Sequence, residues 1–423
     1  MSFPMYPAYK DSGVEWLGTV PVHWDVAPFK RMVSLQNGSD HKHIECDEGY
    51  PVIGSGGPFA CASEFIHDGE SVLLGRKGTI DKPLYVAGKF WTVDTMYWSK
   101  IQPGAFGRFA YYSALTIPFG YYSTNTALPS MTKSVLEAHL LATPPEQEQV
   151  AIAAFLDRET AKIDALVAEQ EQLITLLKEK RQAVISHAVT KGLDPSVPMK
   201  DSGVEWLGAV PAHWAVAALN YRYEVLLGKM LDEKKISGNH LAPYLRNVDV
   251  QWDRINIDDL PQMDFDGSDV ERYGLRAGDL LVCEGGDVGR SAIWHGELTE
   301  CYYQKALHRL RPRDASSDLP RFQFYLMQAA AKLEVFTVGQ GKATIAHLTA
   351  EALRRYRFAY PGRAEQERIV EHLDRAVSQF DELIHEAANT AQLLQERRSA
   401  LISAAVTGQI DVRGLAPAPV QAA

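Results

Sequence analysis

The chain has 423 residues, 46% of them apolar and 23% charged, with a formal net charge of −10. It is long enough for two or more domains with real cores, and its composition is that of an ordinary globular protein rather than a disordered or fibrous one. No apolar run approaches the roughly 18 residues of a membrane span. The N-terminus MSFPMYPAYK lacks the basic start and apolar stretch of a signal peptide. Four cysteines without CxxC spacing read as reduced thiols in a cytoplasmic protein.

Bulk acidity argues at first against a nucleic-acid partner, so the charge is taken by segment. Residues 25–143 hold 10 Lys+Arg against 11 Asp+Glu, and residues 215–360 hold 19 against 20. Residues 144–214 hold 7 against 11, and 361–423 hold 6 against 9. The two middle segments are near neutral, with enough cations for a basic face if they cluster. Distribution over the surface decides binding, not the total.

Residues 1–24 form an opening segment around KDSGVEWLG (Lys10–Gly18), and the chain spells the same nine letters again at Lys200–Gly208. The match continues as Val20, Pro21, His23 and Trp24 against Val210, Pro211, His213 and Trp214. Such an identity is an internal duplication. Trp16-Leu17-Gly18 with Val20-Pro21 reads as an apolar plug and turn that docks each half onto a helix.

Residues 25–143 alternate short β-rich runs (50–53, 71–74, 84–86 and 90–93) with Gly-rich turns, which predicts an irregular, mostly antiparallel sheet. Phe109–Leu115 has helical spacing, so the segment reads as α+β. Thr143-Pro144-Pro145 stops the sheet, and residues 146–190 contain neither Pro nor Gly. A long helix is expected there, with a break allowed near Asp157. Ile163, Leu166, Leu173, Leu177 and Val184 give it a narrow stripe, interrupted at Gln170 and Lys180, that needs a partner helix. Its own copy, residues 363–407 with Phe380, Leu383, Leu394 and Leu401, is the expected partner, with contacts between 160–188 and 377–405. Lys191-Gly192 caps the first helix and 193–214 repeats the opening segment.

Residues 215–360 repeat the scheme with a different filling. A strand at 278–283 enters the turn Glu284–Arg290, in parallel with the strand and turn Glu70–Gly78, and Arg321–Leu333 matches the helix of the first half. FLDRETAKID (Phe155–Asp164) returns as HLDRAVSQFD (His372–Asp381), an offset of 217 against 190 for the opening motif, so the second middle segment is longer by 27 (217 − 190). Glu148-Gln149 and Glu365-Gln366 share the 217 offset. After the second helix, which closes at residue 408, residues 409–423 read as a disordered tail.

Catalytic motifs are sought and not found. Gly339-Gln340-Gly341-Lys342 lacks the first Gly and the hydroxyl residue of a phosphate loop. Gly285, Gly286 and Gly289 sit in a turn between strands rather than before a helix. His41, His43 and Cys46 offer three ligands in a polar loop, too few for a metal site, and Asp232-Glu233-Lys234-Lys235 reads as a solvated charge run. No nucleophile elbow is present. Catalytic and metal residues are therefore expected to be none.

SGVEWLG with VPxHW, a variable segment, then PPxxEQ entering a long helix that ends in AVT, all done twice, resembles the specificity subunit of type I restriction-modification systems. The matching stretches are Ser12–Trp24, Pro144–Gln149, Glu179–Thr190 and their second copies, the second PPxxEQ being reduced to Pro361-Gly362-Arg363-Ala364-Glu365-Gln366. The resemblance implies an α+β fold with two target-recognition domains, separated by a pair of long antiparallel coiled-coil helices and related by a pseudo-twofold internal repeat. It implies a non-catalytic chain that binds double-stranded DNA at a bipartite asymmetric site. Two modification methyltransferase subunits would dock on the helices, and restriction/translocase subunits would join them. S-adenosylmethionine, ATP and Mg are then expected on those partners, with no cofactor in this chain.

Contacts to bases are expected from polar loops: Arg76, Lys77, Asn125 and Thr126 in the first half, and Arg290, Gln340, Lys342 and Thr344 in the second. Arg suits guanine edges, Asn and Gln suit adenine, and Lys suits phosphate. Three other readings stay open: a methylation-only or fused system, a coiled-coil scaffold without DNA specificity, and an enzyme with an unrecognised site.

Overall fold

The computed structural model describes residues 3–122, 130–230, 238–337 and 347–415, and the duplicated motif folds the same way in both places. Tyr9–Asp11 pairs antiparallel with Thr19–Pro21, and Met199–Asp201 with Ala209–Pro211. At the turn, Asp11 and Asp201 accept the amides of Gly13 and Gly203 at 2.9 and 3.0 Å, an Asx turn that the Asp-Ser-Gly triplet encodes. Each hairpin delivers one fully buried tryptophan, Trp24 and Trp214. The motif docks as expected through Leu17 and Val20, but Trp16, read as part of the plug, is 42% exposed, and Trp24 fills the buried place instead.

The chain divides into two compact units, residues 1–171 with 388–423, and residues 172–387. In the first unit, a four-stranded antiparallel sheet runs in the order 84–86, 71–75, 96–101, 33–37. In the second, 291–293, 280–283, 307–312 and 223–227 follow the same order. A smaller sheet in each unit contains one parallel pair, Val52 opposite Trp91 and Tyr244 opposite Tyr302, within the mostly antiparallel pairing expected. Helix α1 (Gly107–Ala114) covers the first large sheet with Phe109, Ala110 and Tyr112 buried. Helix α3 (Pro320–Lys332), opened by Pro at its start, covers the second.

The two long helices are α2 (Glu146–Lys191) and α4 (Arg363–Val406). Helix α2 has 46 residues, roughly 69 Å at 1.5 Å per residue, and is unbroken through Asp157. Each long helix stops at a glycine in the left-handed region, Gly192 (φ +77°) and Gly408 (φ +75°). A Cβ on Gly408 would lie 2.4 Å from Pro21 and 3.0 Å from Trp24, so the left-handed stop is also where the opening motif lands.

The seam of the long helices differs from the stripe read off the leucines. Between 161 and 181 the less exposed positions of α2 are 163, 167, 170, 174, 177 and 181, alternating steps of four and three. Leu166 and Leu173, expected in the seam, are 45% and 43% exposed, and Leu383 is 47% exposed. Ile163, Gln170, Leu177 and Val184 hold their expected places, but Arg181 stands in place of the expected Lys180, and a rule that follows leucines slips by one position at 166 and 173. The matching seam of α4 runs through Phe380, Ile384, Ala387, Ala391, Leu394 and Arg398.

Within the first unit Arg398 pairs with Asp164 (2.7 Å), and within the second Arg181 pairs with Asp381 (3.0 Å). The Asp164–Arg398 pair lies beside a core where the head of α2 (Phe155, Leu156) meets the tail of α4 (Ile402, Val406), so the two helix ends run antiparallel in the first unit. The expected contacts between 160–188 and 377–405 are these. Each unit's core joins its β-rich domain to the head of one long helix and the tail of the other: Ile152, Phe155 and Leu156 with Ile402 and Val406, and Ile369, Leu373 and Val377 with Ile185 and Val189.

Residues 409–415, expected as part of a disordered tail, are docked. Val412 is fully buried, the Asp411 amide donates to the Pro4 carbonyl at 2.8 Å, and Arg158 Nη2 donates to the Leu415 carbonyl at 3.1 Å. Buried apolar contact with the opening segment outweighs the low-complexity composition. Residues 416–423 lie outside the described residues, as do Asp232-Glu233-Lys234-Lys235 and Gly339-Gln340-Gly341-Lys342.

Candidate nucleic-acid interface

The site begins with the joints that hold each β-rich domain to its helix. Glu148, in the first turn of α2, accepts from Trp24 Nε1 (3.0 Å) and Tyr6 OH (3.1 Å), with His23 Nε2 at 2.7 Å. Glu365 in α4 accepts from Trp214 Nε1 (3.2 Å), with His213 Nε2 at 2.8 Å. The neighbouring glutamines hold the other side. Gln149 Oε1 accepts the Phe106 amide just before α1 (2.9 Å), and Gln366 Oε1 accepts the Leu319 amide just before α3 (2.9 Å). The Glu-Gln pair thus ties the opening motif and the covering helix to one point, a role its repetition signalled without defining.

On this frame the loops diverge. After the strand 71–75, the Arg76 amide donates to the Thr95 carbonyl (2.8 Å), and the Arg76 carbonyl accepts from Met131 (3.1 Å). Lys77 bridges to Ser130, directly after the segment that contains Asn125 and Thr126. In the second unit, the Glu284 amide donates to Ala306 (3.0 Å) and its carbonyl accepts from Leu348 (2.7 Å). The structural counterpart of Arg76 is therefore Glu284, although the sequence suggested a parallel with the Gly-rich turn as far as Arg290.

The chemistry at this shared turn is inverted between the units. Arg76 stands beside Asp94, its guanidinium donating to the Asp94 carbonyl at 3.4 Å and lying 5.9 Å from the Tyr97 ring. The position after the second unit's facing strand carries exposed Lys305, against Glu284. Arg290 points into the fold instead: its Nη2 donates to the backbone carbonyl and side-chain oxygen of Asn247 at 3.0 and 2.9 Å. Asn247 in turn donates to the Gly285 carbonyl (3.1 Å), closing the turn.

Of the eight sequence candidates, Arg76 and Lys77 share one exposed turn, and Arg290 braces a turn from inside. Asn125, Thr126, Gln340, Lys342 and Thr344 lie outside the described residues. Sequence reading missed Lys305 and Asn247. The Tyr302-Tyr303-Gln304-Lys305 stretch has no letter in common with its structural partner Trp91-Thr92-Val93-Asp94, so only the backbone pairing reveals the equivalence.

Two buried histidines stand at the roots of these loops. His139 hydrogen-bonds through Nδ1 with Tyr122 OH at 2.8 Å and stacks on Trp16 at 4.6 Å. His308 Nε2 donates to the Leu348 carbonyl at 2.6 Å. Burial pushes both imidazoles down to about 4, so both are neutral near pH 7. Among the described residues, no helix is long and apolar enough to cross a membrane.

Two non-identical loop-bearing α+β domains on a duplicated helical frame define a two-part recognition protein. The model of the type I restriction modification DNA specificity domain matches residues 21–176 and again 228–393. The chain belongs to the type I restriction-modification DNA specificity family. It is 20% identical over 379 residues to the EcoBI specificity subunit of Escherichia coli, covering 83% of this chain and 76% of that one. It is 22% identical over 283 residues to the EcoKI specificity subunit of Escherichia coli strain K12, covering 65% and 59%. A chain solved in a study of complex assembly and conformational transition of the type I R-M system superposes with a TM-score of 0.71 at 16% identity, covering 92% and 98%. The HsdS subunit of Thermoanaerobacter tengcongensis gives 0.53 at 15% identity, with the same coverage.

Proposed function

We propose that this chain directs a type I methyltransferase complex to a bipartite, asymmetric double-stranded DNA site, each β-rich domain reading one half. The observation that carries the reading is the shared turn with inverted chemistry, Arg76–Lys77 near Asp94 in one domain and Glu284 near Lys305 in the other. Identical frames with different contact residues suit two unlike half-sites, since protein module spacing mirrors half-site spacing. Arg76, Lys77, Asn125 and Thr126 serve the first half-site and Gln340, Lys342 and Thr344 the second, with Arg290 shaping a turn there.

The chain itself is non-catalytic and cytoplasmic. S-adenosylmethionine, ATP and Mg reside on the methyltransferase and restriction/translocase partners. The long helices supply two equivalent docking places for methyltransferase subunits. Each unit exposes leucines from both helices, Leu166 (45%) with Leu393 (64%) in the first, and Leu173 (43%) and Leu176 (52%) with Leu383 (47%) in the second. Leu166 and Leu176 map onto α4 counterparts by the offset of 217 (383 − 166 and 393 − 176). Duplicated exposed leucines on otherwise charged helices are partner surfaces rather than scatter.

Methylation sequencing of DNA from cells carrying this chain with its methyltransferase, against a deletion of this chain, tests the reading. A split, asymmetric methylated motif that vanishes on deletion supports it. An unchanged methylome with an active methyltransferase replaces it with a protein-binding scaffold.

A further inference from the structure

We propose that Asp157 and Asp374 are positioning residues that set the angle of each recognition domain on its long helix, and so fix the number of base pairs between the half-sites. The inference rests on the reading that each domain reads one half of a split site. In the first unit, Arg108 and Tyr112 stand one helical turn apart on α1. Both end on a single oxygen of Asp157 in α2, Arg108 Nε at 2.6 Å and Tyr112 OH at 2.7 Å. In the second unit, Arg321 and Tyr325 of α3 repeat the arrangement on one oxygen of Asp374 in α4, at 2.9 and 2.5 Å. The domains differ in their loops and in the chemistry of the shared turn, yet both keep this Arg-Tyr-Asp clamp.

The clamps suit orientation better than adhesion. The apolar contacts behind them, such as Phe109 and Ala110 with Ile152 and Phe155, already attach the domain to the helix. Hydrophobic contact is non-directional, so it tolerates pivoting. The tyrosine of each clamp is buried, but the ion pair is part-exposed, Arg108 at 31% and Asp157 at 43% of the side chain, and such ion pairs add little stability. What they add is direction. The Arg108 guanidinium is also held 4.8 Å from the Tyr85 ring and 5.1 Å from the Tyr111 ring, and Arg321 lies 4.8 Å from Phe324.

Duplex DNA converts angle into count. One added base pair moves a half-site about 3.4 Å along the axis and turns it by about a tenth of a helical turn. Hydrogen bonds are lost beyond about 3.5 Å, so intact clamps forbid that displacement at either end. The second clamp has an added carboxylate, Asp253 from the 250–255 hairpin, which also pairs with Arg321. That pair lies within the domain, so it orients the Arg321 guanidinium but does not replace Asp374 as the tie to α4.

The test is methylome sequencing of cells carrying the full methyltransferase complex with D157N, D374N or both. The expected result is unchanged half-site sequences with methylation spreading to gaps one base pair longer or shorter. The ratio of off-gap to correct-gap methylation rises about tenfold or more for D157N and likewise for D374N, the equivalent of one charge-assisted hydrogen bond. Should D157N fail to accumulate, Y112F removes one bond, keeps the ring packing and carries the same comparison. A single invariant gap in the variants, with methylation unchanged or evenly reduced, overturns the clamp alone. A wild-type complex with no split motif overturns the functional reading, and the clamp proposal with it.

Discussion

The indole of Trp24 donates to the Glu148 carboxylate at 3.0 Å, and 190 residues on Trp214 does the same to Glu365 at 3.2 Å. The letters between the two joints have diverged, but the joint has not. It ties the duplicated motif to the helix that carries each domain.

Trp24→Ala is expected to destabilise its unit by about 3–5 kcal/mol, the range for emptying a buried large aromatic. Glu148→Gln keeps the volume and loses a charge-assisted acceptor, about 1–3 kcal/mol. Urea unfolding followed by fluorescence measures both, and a Trp24→Ala loss below that of Glu148→Gln contradicts the packing argument.

Arg181 and Arg398 occupy seam positions and pair with half-exposed Asp381 and Asp164. Exposed pairs contribute roughly 0–1 kcal/mol, and apolar replacements in such places are often neutral or stabilising. The double variant R181L/R398L is expected to melt at the wild-type temperature or above it. A drop of several degrees in calorimetry would show that the register depends on charge.

The three described cations among the sequence candidates have different fates. Lys77→Ala is expected to weaken duplex binding evenly across sequences and to lower the salt slope by about 1. Arg76→Ala is expected to cost about 1–3 kcal/mol and to relax preference at one base pair. Arg290→Ala acts through Asn247 and lowers domain stability before it alters specificity. Binding titrations of the assembled complex at several salt concentrations, beside thermal melts, separate these outcomes.

Protonating His139 or His308 would bury an N–H with no acceptor, since His139 Nε2 and His308 Nδ1 are buried without hydrogen-bond partners. Their folded values, about 4, lie below the ordinary 6.5. The folded state therefore binds fewer protons than the unfolded chain. The contribution to stability is complete above pH 6.5, falls as pH drops, and is lost by about pH 4. Histidine titration by NMR is expected to show both rings neutral at pH 5.5, and a ring protonated there would refute the assignment.

Much of the fold was legible in the sequence because duplication exposes what the frame requires. KDSGVEWLG, the Glu-Gln pairs and the LDR blocks recur, and each proves to be a hairpin, a joint or a clamp. Helix limits were readable from the lack of Pro and Gly between 146 and 190. The seam was not legible in full, because Leu166 and Leu173 face outward and Arg181 stands in place of the expected Lys180. Nor was the docking of 409–415, whose Val412 finds its apolar partners across the whole length of the chain.

The sequence by itself determined the doubled plan, the covering and long helices, and the family, since these rest on repeats and on local rules of composition, capping and turn chemistry. Tertiary structure alone decided that Arg76 corresponds to Glu284 and that Arg290 faces inward. It alone brought Arg108 and Tyr112 to the same oxygen of Asp157. Those relationships depend on which backbone carbonyl and which side chain meet across distant strands and helices, and such pairings leave no periodic trace in the order of residues.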